Sequence, residues 1–505
     1  MSTGMRPPGR DDLIEAAAIN HFELTRQDLD HLLPIMAPMF ERLDQLEQMQ
    51  EALEPLRYAD RDPGQRPQPK DDPLNAILRR CSVKGATSGK LAGKRIGIKD
   101  CVLLAGVPMS CGSLMLEGYI PDRDATIVLR MLDAGAEIVA KLNMDNMAFS
   151  GSGATSAFGP VRNPHNREHL AGGSSGGSGA ALYYHGIDMT IGCDQGGSIR
   201  IPASFCGAVG LKPTHGLVPY TDIIGMDPTI DHAGPMARTA LDVALLLEVI
   251  ADPVPAASVS GRGPAAYSQE LDKGIAGLRI GVVREGFGWD GSEADVDAAV
   301  RGAMDRLSKL GARVEEISIP VHREALHFST GVMAEGLAAL FAQSVMVHHV
   351  KGPYNGHLAR AFGEGLRKRG SELPPLLKMM LVMGTYLNRH YPGRIYPKAQ
   401  NVRSWLRAQY DAALARVDVL AMPTTPTTAH RHDPNFSAYD EMMRGFATGN
   451  NTMAFDVTGH PSLSVPCAMS KGLPVGLMLT GRHFEDGTLL RVASAYERNI
   501  EWERA

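Results

Sequence analysis

Between Gly172 and Pro202 the chain reads GGSSGGSGAALYYHGIDMTIGCDQGGSIRIP. Nine glycines and four serines fall in these 31 residues, on either side of one apolar segment. A flexible Gly/Ser linker carries no such segment, so the runs read as tight turns around a structured element. DMTIGCD (Asp188–Asp194) has the composition of a buried strand, QGGS turns sharply, and Ile199–Gly210 opens as a helix, with Pro202 tolerated only in its first turn. Ser198 then sits at a strand-to-helix turn. The amides of Gln195, Gly196, Gly197 and Ser198 can converge there, the two glycines supplying backbone freedom, and convergent amides beside a hydroxyl make an oxyanion hole. The first run matches G-x-S-x-G, but the polar NPHNREHLAGG before it is a poor strand; a helix over Ser178–His185 follows. Neither run contains Gly-Lys-Ser/Thr or G-x-G-x-x-G, which weighs against a phosphate or dinucleotide cradle there. Taken singly, either run is equally well explained as a turn without chemistry.

From Leu74 onward, β-branched runs alternate with helical patterns. KRIGIKDCVLLAGVP (Lys94–Pro108), Ala136–Asn143, Leu278–Val283, Ala312–Ile319, Val417–Pro423 and Pro474–Gly481 read as strands. Asp124–Gly135, Ala294–Leu310 and Asp486–Arg498 read as helices. This alternation predicts an α/β fold with a largely parallel sheet. Asp11–Tyr58 has helical spacing, read as two or three helices interrupted near Pro34 and Pro38. Arg61–Pro73 has linker composition. The expected division is residues 1–70, a helical domain and linker suited to dimerisation, and 71–505, a catalytic domain with a mostly helical covering region around 324–403.

The 505 residues carry a net charge of −5, with no block of like charges to suggest nucleic acid. Six scattered cysteines form no C-x-x-C pair, which argues against a disulfide framework and a zinc site. No signal-peptide core is seen, and no apolar run reaches the ~20 residues of a membrane span. A cytoplasmic protein is expected.

A serine nucleophile needs a base. None of the 17 histidines is signposted. GIKDCV (Gly97–Val102) instead sets Lys99 in an apolar strand, its side chain diverging from Asp100. An inward amine stripped of water is favoured in its uncharged form, which can act as a general base; a lysine in a strand is also commonly a paired or snorkelling residue.

GIKD, GGSSGGS and DQGGSIRIPA, in that order and with Ser174 and Ser198 spaced 24 residues apart, resemble the amidase signature hydrolases. The resemblance covers about Leu74 to Arg498. FCGAVGLKPTHGLVPYT (Phe205–Thr221), TIDHAGPMART (Thr229–Thr239), LRIGVVREGFG (Leu278–Gly288) and FDVTGHPSLSVP (Phe455–Pro466) are similar to bacterial enantioselective amidases, as is Gln195, where many members carry threonine. The resemblance implies a mixed, twisted central sheet covered by helices on both faces, an amino-terminal helical domain and a homodimer. It implies Ser198 as nucleophile, Ser174 as relay behind a cis Gly173–Ser174 bond, Lys99 as ultimate base, and an oxyanion hole from Gln195 to Ser198. Ser175 would steady the loop, and Asp194 would pair with Arg200. Phe149, Ser150, Gly151, Gly173, Thr452, Met453 and Phe455 are candidates for the substrate pocket. No metal or organic cofactor is implied.

The expected activity is carboxamide hydrolysis to acid and ammonia on a small-molecule amide, without nucleic acid or membrane as partner. Aryl-acylamide, carbamate or acylhydrazide hydrolysis would use the same triad. A non-catalytic anion-binding module and the A component of an amidotransferase are the remaining alternatives.

Overall fold

The computed structural model describes residues 6–49, 51, 55–251, 266–345 and 354–504. The chain divides into two compact units, Met1–Arg57 and Tyr58–Ala505. The described part of the first consists of two helices, Arg10–Ile19 and Arg26–Glu47. The second helix runs unbroken through Pro34 and Pro38, contrary to the expected interruption. The prolines lie four residues apart and remove only two hydrogen bonds of the ladder, while a Thr25–Asp28 capping box secures its start.

The second unit is built on one twelve-stranded sheet. In chain order its strands are β1 (Arg61–Gln65), β2 (Ile77–Lys84), β3 (Arg95–Lys99), β4 (Glu137–Leu142), β5 (Met189–Asp194), β6 (Val209–Lys212), β7 (His232–Ala237), β8 (Arg279–Val283), β9 (Arg313–Ile317), β10 (Val419–Pro423), β11 (Ser462–Ser470) and β12 (Leu473–Thr480). The spatial order is β1-β2-β4-β3-β5-β7-β6-β11-β12-β10-β8-β9. The β3–β4, β3–β5, β8–β9 and β8–β10 pairings are parallel; the other seven are antiparallel. The sheet is therefore mixed, as the family resemblance implies, and not largely parallel as the alternation suggests. The alternation missed β2, β6, β7 and β11; β6, β7 and β11 are buried at nearly every position and lack a period-two signal.

Three local expectations are corrected. The strand read through Pro108 ends at Lys99, because the Val102 amide turns back onto the Lys99 carbonyl and Asp100 accepts from the Ser110 and Cys111 amides, folding the chain away from the sheet. The Ser198-side helix spans only Arg200–Cys206: Gly207 closes it in the left-handed region at φ 68°, and β6 follows. Part of the Arg61–Pro73 linker is β1, an edge strand where Pro63 is tolerated. Arg61 anchors it through a bidentate pair to buried Asp124, at 2.8 and 2.6 Å.

The covering region is helical as expected, through Ala325–Ala342, Gly356–Arg369, Pro375–His390 and Tyr396–Leu414; residues 346–353 lie outside the described residues. Pro320–Ala342 is long and apolar enough to cross a membrane, contrary to expectation, but 67% of its most apolar 18-residue window is buried inside the protein. One apolar cluster runs continuously through the sheet and its helices.

For the site, the essential pairing is β3 beside β5, parallel, with Ile98 opposite Ile191. Their carboxyl ends emerge side by side, the place where open α/β sheets bind ligands.

Candidate active site

Lys99 is the last residue of β3 and is fully buried. Its side-chain nitrogen, Nζ, lies 2.7 Å from Ser174 Oγ and 3.3 Å from the Cys193 carbonyl. Asp100 points the other way, toward buried Lys141 at 3.6 Å. Lys141 escaped the sequence reading, although EIVAKL offers the same signal as GIKD, a lysine inside an apolar strand.

Ser174 follows a cis Gly173–Ser174 bond. The turn is pinned on both sides: the Gly173 amide donates to Gly151 O, and Ser174 O accepts from the Asp145 amide. Ser175 ties this turn to the second one. Its amide donates to Ser198 O at 3.2 Å, and its hydroxyl both accepts from the Cys193 amide and reaches the Cys193 carbonyl.

The second turn leaves β5 at Asp194, whose buried carboxylate organises it. Asp194 accepts from the amides of Gly197 and Ile199 and from both Nε and Nη2 of Arg200, the latter two at 3.0 Å. Gly197 is thereby removed from the expected oxyanion donors. The amides of Gln195, Gly196 and Ser198 have no protein acceptor among the described residues, which leaves three donors beside the Ser198 hydroxyl. Gly197 sits at φ 133°, and a Cβ there would meet Thr452 Oγ1 at 2.2 Å; only glycine fits that approach.

Arg200 is wholly buried rather than a surface charge. Besides Asp194 it binds Asp456 Oδ2 at 2.7 Å and the Thr452 carbonyl at 2.9 Å. Burial alone would raise the Asp194 carboxyl, but the Arg200 charge together with the hydrogen bonds from Arg200, Asp456 and the Ile199 amide outweighs it and holds Asp194 well below the usual carboxylate range. Burial and the Asp194 charge push Asp456 well above that range, so one carboxylate and one neutral carboxyl share one guanidinium. Asp456 was missed because it lies 256 residues from its partner.

A cleft of about 460 Å³ opens over Ser198. Of the seven pocket candidates, Phe149, Ser150, Gly151 and Met453 line it. Gly173, Thr452 and Phe455 do not. Gly173 packs against Asp145, which a Cβ would strike at 1.8 Å. Thr452 supports the turn from behind, donating to Gly196 O at 2.6 Å. Phe455 packs against Tyr410 and His322 in the core. Met226, Met333, Leu376 and Phe446 complete the walls from elements carrying no motif. The walls are almost wholly apolar, so the amides at the turn are the directional polar groups available to a ligand. No hydrogen bond joins Ser174 Oγ to Ser198 Oγ; in ligand-free sites such links are commonly long and tighten when substrate binds.

A buried amine on a hydroxyl, with free amides around a second hydroxyl, provides the parts of an acyl-transfer site. The Amidase family model matches residues 75–490. The chain is 41% identical over 416 residues to the A component of the glutamyl-tRNA(Gln) amidotransferase of Roseiflexus sp. (strain RS-1), covering 82% of this chain and 84% of that one. It is 40% identical over 442 residues to an enantioselective amidase of Rhodococcus rhodochrous, covering 86% and 85%. Among solved structures, the peptide amidase of Stenotrophomonas maltophilia matches with a TM-score of 0.69 and 29% identity, covering 85% of this chain and 90% of that one. The chain belongs to the amidase family.

Proposed function

We propose that the protein hydrolyses carboxamides to carboxylic acid and ammonia through an acyl-enzyme on Ser198. The observation that carries this reading is the buried 2.7 Å bond between Lys99 Nζ and Ser174 Oγ, set beside a turn with three unengaged amides. Ser198 Oγ attacks the amide carbonyl. Its proton passes to Ser174 Oγ, whose own proton passes to Lys99 Nζ. The carbonyl oxygen gains negative charge opposite the amides of Gln195, Gly196 and Ser198. The tetrahedral intermediate collapses, the C–N bond breaks, and the proton on Lys99 returns through Ser174 to the leaving nitrogen. Water then attacks the ester by the same route and frees Ser198. An apolar cleft suits an aryl or alkyl acyl group. Aryl-acylamides and acylhydrazides share the acyl-enzyme and differ only in what leaves, whereas a carbamate that loses its alcohol passes through a carbamoyl-enzyme on the same serine.

Turnover of benzamide, an acetanilide and a carbamate tests this choice. Primary-amide turnover lost in Ser198→Ala supports it; an enzyme blind to primary amides excludes it.

The match to an amidotransferase component favours a second reading, glutamine hydrolysis inside a complex. Gln195 and the separate Met1–Arg57 unit favour the self-sufficient amidase. Glutaminase activity that appears only with a tRNA-binding partner protein would select the second reading.

We further assign the protein to a reducing, cytoplasmic setting and to a homodimer. Six buried free cysteines fit the first. Exposed Ile35, Met39, Leu43 and Leu46 on Arg26–Glu47 fit the second, because they form an apolar stripe at helical spacing that a second copy can cover.

A further inference from the structure

We propose that Asp411, His460 and His483 form a binding site for one divalent transition-metal ion of the zinc type, separate from the catalytic cleft. Asp411 lies near the end of the Tyr396–Leu414 helix, His460 just after the Met453–Thr458 helix, and His483 just after β12. One ligand atom from each falls within 4.8 Å of the others. His460 Nε2 is 3.0 Å from Asp411 Oδ1, and His483 Nδ1 is 4.0 Å from the same oxygen. Tetrahedral zinc with ligands at 2.0–2.2 Å has ligand–ligand edges of about 3.3 Å, which these separations bracket.

The hydrogen bonds around the two rings set how they face Asp411. His483 Nε2 lies 3.1 Å from the Thr458 carbonyl. A carbonyl can only accept, so that nitrogen carries the proton and Nδ1 presents a lone pair. The Thr458 hydroxyl donates to the Ala454 carbonyl at 3.0 Å. It also lies 2.9 Å from His460 Nδ1, and His460 Nε2 hydrogen-bonds Asp411 Oδ1 at 3.0 Å, so a bound cation would take the place of the proton on that bond. Two imidazoles and a carboxylate thus turn one ligand atom each toward a common point, the donor set of a transition-metal cation. Thr458 holds both rings from behind, as carbonyl and hydroxyl groups hold metal-binding histidines. Arg407 takes the other oxygen of Asp411 at 3.5 Å, leaving Oδ1 to face the histidines. Asp411 is half exposed, so a fourth position opens to solvent.

Two nitrogens and one carboxylate suit zinc, cobalt or nickel and not magnesium or calcium. The bound ion would join the Tyr396–Leu414 helix to the segment that carries Asp456 and Thr452, the supports of Arg200 and Gly196. Its role would be structural.

The test uses the full chain freed of metal by a chelator. Competition of the protein with a chromophoric chelator for zinc, and visible absorption on adding cobalt(II), measure binding without reference to turnover. One zinc per chain is expected, with an intense tetrahedral-type cobalt spectrum, and at least about tenfold weaker binding in Asp411→Asn and in His483→Gln. Asp411 is half exposed, so its variant keeps the fold. Zinc and cobalt binding that is absent from the wild type, or equal in the wild type and both variants, overturns the proposal.

Discussion

Neighbouring residues of the Asp194–Arg200 turn do different work. Gly197 gives its amide to Asp194 and its bare Cα to Thr452. Gly197→Ala must push the turn away from Thr452, moving the adjacent amides of Gly196 and Ser198. A loss of at least about 100-fold in kcat/KM is expected, comparable to removing one oxyanion donor, with an unchanged far-ultraviolet dichroism spectrum. Asp194→Asn breaks the Asp194–Arg200 pair, leaving the buried Arg200 with only Asp456 and the Thr452 carbonyl as partners. Breaking a buried ion pair in this way costs about 3–5 kcal/mol, to be read from urea unfolding midpoints. The pairing of Lys99 with Ser174 was legible only through the family resemblance, because a lysine in a strand and a serine in a glycine run each read singly as ordinary structure. Asp456 and the supporting role of Thr452 were not, since both act on a turn more than 250 residues away in the chain.

At the scale of elements, strands and helices with amphipathic texture were read close to where they stand: Ala294–Lys309 carries acids in its first turn and bases in its last, matching its dipole. Strands inside the sheet were harder. β6, β7 and β11 are short of charge and periodicity, and a register with distant partners decides them. The linker reading of Arg61–Pro73 failed for a related reason. Pro, Gly and Gln favour loops locally, but pairing with β2 and the Arg61–Asp124 bridge override that preference. The Arg26–Glu47 helix carries its own prediction. Leu43→Asp sets a charge in the apolar stripe, and light scattering is expected to report half the wild-type mass; a dimeric variant would place the interface elsewhere.

At the scale of the whole molecule, many titratable groups are buried, and they tie stability to pH. His322 is wholly buried between Tyr410 and Asn451, and burial pushes it down to about 4. An unfolded histidine titrates near 6.5. Between those values the unfolded state binds a proton that the folded state refuses, so this contribution is fully present above about pH 6.5 and lost as pH falls toward 4, by about 2–3 kcal/mol. His322→Gln should flatten that part of the stability profile. The same distribution of buried charge underlies catalysis, whose central claim is that the Lys99 amine activates Ser198 through the Ser174 hydroxyl. The most direct measurement is the rate at which a fluorophosphonate labels the protein, with the modified residue located by mass spectrometry. The label is expected on Ser198, with Lys99→Ala and Ser174→Ala each slowing it at least about 100-fold. Wild-type labelling rates in Lys99→Ala, or a label on any other residue, would contradict the account.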